Sequence, residues 1–235
     1  MKLYWLGQAG FYLTADHGTA IMIDPYLSDS LLRDRGEKYH REVPVNEEFL
    51  KARVDVLVIT HAHADHMDLA TLDQVFTVNH GMAVMAPRNV LSQLRARYGE
   101  LANYMLFEPG VEITINGILF RASYACHSDE CPIGVIMEGE GKVLCHTGDT
   151  MFHTRLITEL PVEADLLMLP INGVGNNMNA VDAARLARSI RPRLVMPMHW
   201  DMFKAYGCDV ELFCNQWKGD AQRILLPSQY QEIEL

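Results

Sequence analysis

The chain has no apolar run long enough to cross a membrane. Its hydrophobic stretches break off well short of the ~20 residues a span needs, so no membrane partner is expected. Positive charge is scarce as well: 20 Lys and Arg face 30 Asp and Glu, for a formal net charge of −10. Proteins that follow phosphate backbones carry basic faces, so no nucleic-acid partner is expected either. Cysteine is sparse and odd in number, with Cys126, Cys131, Cys145, Cys208 and Cys214 and no Cys-x-x-Cys pair. That excludes a disulfide framework and fits a reducing compartment. The first residues lack a long apolar stretch and a small-residue cleavage site, so no signal peptide is read and the cytoplasm is the expected location. Repeats, low-complexity segments and linkers are absent too. With 235 residues and 49% apolar content, one domain spanning 1–235 is expected.

Histidine is what the chain has in plenty. His61-Ala-His63-Ala-Asp65-His66 packs three imidazoles and a carboxylate into six positions, directly after the apolar run 54–60. Such a run reads as a buried strand. The polar groups therefore sit where a strand ends, which is where open α/β sheets place their sites. Imidazole is the commonest metal ligand, and the small Ala spacers keep bulk away from a tight coordination sphere. A chance cluster of surface histidines explains this density poorly.

The spacing resembles the His-x-His-x-Asp-His motif of the metallo-β-lactamase superfamily. Further landmarks follow in order, each just past a strand-like segment: Asp24, His127, Asp149 and His199. Leu6-Gly7-Gln8-Ala9-Gly10-Phe11, Thr147-Gly148-Asp149-Thr150 and Pro197-Met198-His199-Trp200 resemble one branch in particular. It holds ascorbate-6-phosphate lactonase-like proteins and small metal-dependent hydrolases. Related chains often carry His where Gln8 stands, which leaves the role of that position open. The resemblance implies a four-layer αββα sandwich of two mixed β-sheets flanked by helices. Periodicity alone gives only a mixed α/β fold.

By the same resemblance, His61, His63 and His127 hold one metal ion, Asp65, His66 and His199 hold a second, and Asp149 bridges them. Asp24 supports a metal histidine through its other ring nitrogen; as a plain turn residue before Pro25 it would need no such role. The donor chemistry suits two divalent ions, Zn or Mn first and Fe as the alternative, whereas Ca or Mg is not expected with so much nitrogen. Two such ions can hold a hydroxide between them and polarise the bond it attacks. Asp65 is the candidate catalytic residue, orienting the nucleophile and accepting its proton. The expected function is hydrolysis of a small ester or lactone, with a sugar-phosphate lactone implied by the branch. A phosphodiesterase acting on a cyclic nucleotide or similar small substrate is the alternative. A mononuclear iron thiol oxygenase or a non-enzymatic metal-binding module stands for the other classes. Diiron oxygen-reducing relatives carry Glu where His63 stands, which argues against that chemistry. Assembly into a homo-oligomer is compatible with everything here.

Weaker candidates lie outside this set. Residues 25–44 read as a long polar loop carrying Arg33, Arg35, Lys38 and Arg41. A lid with these cations suits an anionic substrate, with Arg33 and Arg35 as contacts; a solvated loop balanced by Asp34, Glu37 and Glu42 is the bland reading. His153 is a candidate acid or substrate contact, or else a helix-start surface residue. The polar loop 173–179 precedes a helix and reads as an anion-binding turn or a plain connector. Cys126 should face the core by strand alternation. Strands are expected at 3–6, 11–15, 19–23, 83–86, 111–115, 118–123, 133–137, 142–145, 166–169 and 194–196. Helices are expected at 46–52, 67–78, 89–98, 179–190 and 210–217.

Overall fold

The apolar runs fold into two mixed sheets that pack face to face, with helices on both outer sides. The structure, a computed structural model, describes residues 1–217, 220 and 223–235. The chain opens with an antiparallel meander, β1 (Lys2–Gly7), β2 (Gly10–Thr14) and β3 (Ala20–Ile23), in which Phe11 pairs with Trp5 on one side and Ile23 on the other. After α1 (Ser30–Arg35) and α2 (Glu47–Leu50), β4 (Val56–Val58) adds to β3 in parallel. Helix α3 (Leu69–Val78) crosses to β5 (Ala83–Ala86), and α4 (Arg88–Tyr98) crosses to β6 (Asn103–Leu106), both again in parallel.

The second half repeats the pattern. Antiparallel β7 (Glu112–Ile115), β8 (Ile118–Tyr124), β9 (Ile133–Gly139) and β10 (Lys142–His146) come first. Helix α5 (Thr154–Glu159) leads to β11 (Leu166–Pro170), and α6 (Ala180–Ile190) leads to β12 (Leu194–Met198). Strand β11 joins β10 in parallel, and β12 joins β11 in the same way. After α7 (Glu211–Cys214), β13 (Glu232–Glu234) returns to pair with β1 in the first sheet. The sheet orders are β13-β1-β2-β3-β4-β5-β6 and β12-β11-β10-β9-β8-β7.

Side-chain alternation explains the layers. Trp5, Phe11, Ile23 and Val58 of the first sheet meet Phe120, Val135, Met168 and Met196 of the second in one buried cluster. The opposite face of the first sheet, with Met22, Leu57 and Val84, packs on Leu72, Val75, Val90 and Leu94 of α3 and α4. Leu167, Leu169 and Val195 do the same against Leu156, Ala183 and Leu186 of α5 and α6. Strands β3, β4 and β11 are covered on both faces, so every residue in them is buried, and they read as unbroken apolar runs rather than alternations. Among the described residues no helix is long and apolar enough to cross a membrane.

Several expectations change. The 25–44 segment contains α1 and a 3-10 turn at Glu37–Tyr39 rather than an unstructured loop. Strand β6 lies at a sheet edge, with both ends exposed and no clean alternation, and β13 is only three residues long; neither pattern stands out from the sequence. Cys126 is half-buried rather than in the core, because β8 ends at Tyr124 and strand alternation stops there.

Candidate metal centre

The carboxyl ends of β3, β4, β8, β10 and β12, with the β1–β2 turn and the segment after β11, deliver the polar groups of the site. Asp24 follows β3 directly and adopts a left-handed φ of 43°. That turn aims its carboxylate across to the segment after β4. Its Oδ1 accepts from the Thr60 backbone at 2.7 Å, and its Oδ2 accepts from His66 Nδ1 at 2.8 Å and from the Thr60 hydroxyl. With Nδ1 so engaged, His66 presents Nε2 to the cleft. The backbone of His66 and Met67 returns to the His63 carbonyl at 3.0 and 2.8 Å, which wraps the motif into a turn.

His127 follows β8. Its Nδ1 is 3.1 Å from the Asn176 carbonyl, so Nε2 faces inward, 3.1 Å from His63 Nδ1. Asp149 follows β10 through Gly148, whose φ is 63° and where a Cβ would come within 2.3 Å of the Ile133 carbonyl; only glycine fits. His199, after β12, also has a left-handed φ of 62°, and its backbone donates to the Gln8 carbonyl at 3.0 Å.

Two donor groups result. His61, His63 and His127 offer one triad, and Asp65, His66 and His199 another, each with its ligand atoms within 4.8 Å of one another. Asp149 Oδ2 lies between them, 3.1 Å from His199 Nε2, 3.4 Å from His66 Nε2 and 3.7 Å from His127 Nε2. His61 Nε2, His66 Nε2 and Asp149 Oδ1 are buried without a hydrogen-bond partner. Unpaired buried polar atoms cost about 1–3 kcal/mol each, so three in one place fit a site built for divalent cations.

Electrostatics point the same way. Burial lowers the pKa of His61 well below the ordinary value, helped by the charge of His66, which leaves a neutral imidazole. For His66 burial acts downward too, but Asp149, Asp65 and Asp24 outweigh it and hold the pKa well above normal. His199 is buried as well, and Asp149 and Asp65 raise it to about 9. The carboxylates thus keep protons on His66 and His199 that an incoming cation would displace.

A cavity of about 230 Å³ opens over these groups, with Gln8, Asp65, His127, Asp149 and His199 at its floor and Leu31, Tyr39, Phe203 and Tyr206 on its walls. The description "Beta-lactamase superfamily domain" matches residues 19–200. The chain belongs to the metallo-β-lactamase superfamily. A UPF0173 protein of Pyrococcus furiosus is 32% identical over 204 residues, covering 86% of this chain and 85% of that protein. A UPF0173 metal-dependent hydrolase of Methanoculleus marisnigri is 32% identical over 226 residues, covering 91% and 87%. Isothiocyanate hydrolase from Delia radicum gut bacteria has a similar fold, with a TM-score of 0.81 at 19% identity over 100% of this chain and 99% of that one.

In this superfamily member the weaker sequence candidates part company. His153 does not reach the cavity: its Nδ1 accepts from Arg155 N at 3.1 Å and caps α5, and its ring rests on Tyr124 at 5.2 Å. Arg33 is exposed and also lies off the cavity wall, whereas Arg35 lines it. The 173–179 loop is more than a connector, since Asn177 Nδ2 donates to Asp149 Oδ2 at 2.9 Å. Gln8 Nε2 donates to Asp65 Oδ2 at 2.7 Å and lies 3.1 Å from His199 Nε2. Asp129 went unnoticed in the sequence. It accepts from Ala62 N at 2.6 Å and Asn89 Nδ2 at 2.7 Å, tying the His127 segment to the motif turn. Only the polar loop 173–179 hinted at Asn177; nothing in the sequence marked Asp129.

Proposed function

We propose that this metal-dependent hydrolase of the metallo-β-lactamase fold cleaves the ester bond of a small molecule, with a lactone as the first form to try. One observation carries the reading: a single oxygen, Asp149 Oδ2, faces imidazole nitrogens from both donor groups at 3.1–3.7 Å. His61, His63 and His127 would hold one ion, Asp65, His66 and His199 the other, with Asp149 shared. The mixed nitrogen and oxygen donors suit Zn or Mn, with Fe as the alternative. When bound, such a pair supplies Lewis acidity to the scissile carbonyl and acidity to a water.

The chain's own residues supply the rest. Asp65 is 19% exposed where Asp149 is 4% exposed, so Asp65 is the carboxylate that water entering the cavity meets. It orients that water and takes its proton. Gln8 holds the Asp65 carboxylate in place, and Asn177 holds Asp149. Leu31, Val174 and Phe203 give the cavity an apolar wall that strengthens these polar contacts by excluding solvent. The small cavity suits a single small substrate rather than a polymer. Resemblance to ascorbate-6-phosphate lactonase-like proteins supports the lactone, and the UPF0173 metal-dependent hydrolases among the relatives support hydrolysis.

The test combines ion content with a substrate panel. Purified protein loaded with Zn or Mn should hold two ions per chain and open lactones faster than it cleaves phosphodiesters. His199→Ala should lose at least one ion and most of the turnover. Faster phosphodiester cleavage would replace the ester reading, and a single ion at saturation would remove its dinuclear basis.

A further inference from the structure

One arginine lines the cavity, and a lysine stands over the aromatic pair next to it. Arg35 closes α1 and lines the cavity beside Tyr39 and Tyr206. Its guanidinium carbon lies 5.9 Å from the Tyr39 ring centre. Lys38 Nζ sits 5.3 Å from the same ring and 5.8 Å from that of Tyr206. The two tyrosines stack at 4.9 Å, joining the 25–44 segment to the segment after β12.

Several surface arginines rest on carboxylates, as Arg97 does on Asp73 at 2.6 Å and Arg193 on Asp165 at 2.9 Å. Among the described residues neither Arg35 nor Lys38 has a carboxylate within 4.0 Å. In a chain of net charge −10, Arg35 on the cavity wall and Lys38 beside the Tyr39–Tyr206 pair are thus not held by ion pairs. Nor do they contribute to the core, since both are exposed.

The segment that bears them is fixed at its base. Arg41 is only 6% exposed. Its Nη1 donates to the Tyr26 carbonyl at 2.6 Å and its Nε to Val43 at 3.0 Å. Glu42 N donates to the Met202 carbonyl at 2.9 Å, and Tyr26, Leu31, Met202 and Phe203 form a small buried cluster beneath. The strap is therefore packed in place, with its cationic end over the opening.

We propose that Arg35, flanked by Lys38 and the Tyr39–Tyr206 stack, is an anion subsite that selects substrates carrying a carboxylate or phosphate group beside the bond that is cleaved. This deepens the ester reading and rests on it. A guanidinium fork matches either oxyanion in bidentate fashion, and the aromatic faces keep the cations from straying. The small cavity places the anionic group and the scissile bond within one small molecule.

The experiment compares three lactones of matched size, one neutral, one bearing a carboxylate and one bearing a phosphate, on metal-loaded protein. The wild type should prefer an anionic lactone in kcat/KM, and that preference should shrink as salt rises. Arg35→Ala should cut the preference about tenfold and Arg35→Glu more, chiefly through KM. Arg33→Ala, off the cavity wall, should keep it. Whichever of carboxylate and phosphate loses more in Arg35→Ala identifies the group recognised. An anionic preference that survives Arg35→Glu overturns the proposal, as does a wild type with no such preference. If no lactone is turned over, the ester reading fails, and calorimetry with inorganic phosphate and acetate decides the subsite by itself. Weaker binding of either anion to Arg35→Glu than to wild type supports it, and equal binding of both ends it.

Discussion

A carboxylate that faces a cation must be held, or it turns away. At Asp65 and Asp149 a side-chain amide does the holding: Gln8 donates at 2.7 Å and Asn177 at 2.9 Å. The two braces differ in reach. Gln8 touches only the Asp65 and His199 side, while Asn177 holds the carboxylate that faces both donor groups. Removing a hydrogen-bond partner behind a metal ligand costs about 10–100-fold in affinity. Gln8→Leu should therefore weaken one of the two ions by at least about tenfold and leave the other near wild type. Asn177→Leu should weaken both. Chelator-competition titration with ion counting reads this without any substrate. Two ions held equally well in Gln8→Leu would show that the brace has no bearing on binding. At this scale the sequence is uneven. Histidines and aspartates at strand ends announce themselves by type and spacing. The amides do not, because an uncharged Gln or Asn has many ordinary uses, and only the fold brings Gln8 to Asp65.

Elements place the site by ending sharply. Gln8, Asp24 and His199 all take left-handed φ values, 52°, 43° and 62°, where a side chain costs energy. The turns at Gln8 and His199 throw a side chain sideways off a strand end into the cleft, and the turn at Asp24 aims its carboxylate at Thr60 and His66 behind it. Gly148 makes the same turn with no room for a Cβ, the nearest atom being the Ile133 carbonyl at 2.3 Å. Gly141, at the β9–β10 hairpin, has φ of 71° but open space around it. Alanine at both positions separates strain from clash. Gly141→Ala should cost about 1 kcal/mol, the penalty for a left-handed residue, whereas Gly148→Ala should cost more than about 2 kcal/mol because the end of β10 must also move from β9. Urea unfolding of the two variants measures the difference, and equal losses would remove the close-packing argument. The long elements could be read in advance. The helices expected at 67–78, 89–98 and 179–190 lie within two residues of α3, α4 and α6, and the strands expected at 111–115 and 118–123 lie within one residue of β7 and β8. Helices α1 and α5 did not declare themselves, since each is six residues long and buries one side chain, Leu31 or Leu156. Such short helices owe their form to what they pack on.

Across the whole molecule the candidate metal donors are divided between the sheets. His61, His63, Asp65 and His66 come from the first, and His127, Asp149 and His199 from the second. Bound ions would therefore tie the sheets together along one edge, where buried carboxylates and imidazoles otherwise face each other with unpaired atoms. Binding to the native state alone stabilises it by RT ln(1 + [L]/Kd), about 2.7 kcal/mol at a hundredfold excess over Kd. For a chain of this size each kcal/mol moves Tm by ~2–4 °C. A chelator should thus lower Tm by roughly 5–10 °C, and added Zn or Mn should restore it. The chelated protein should still unfold cooperatively, because the buried cluster between the sheets, from Met1 to Met198, contains none of the candidate metal donors. Asn177→Leu should shrink the chelator shift; because it also removes the buried hydrogen bond to Asp149, the shift is read against that variant's own metal-free Tm. A metal-loaded wild type whose Tm ignores the chelator would mean that the ions do not link the two sheets.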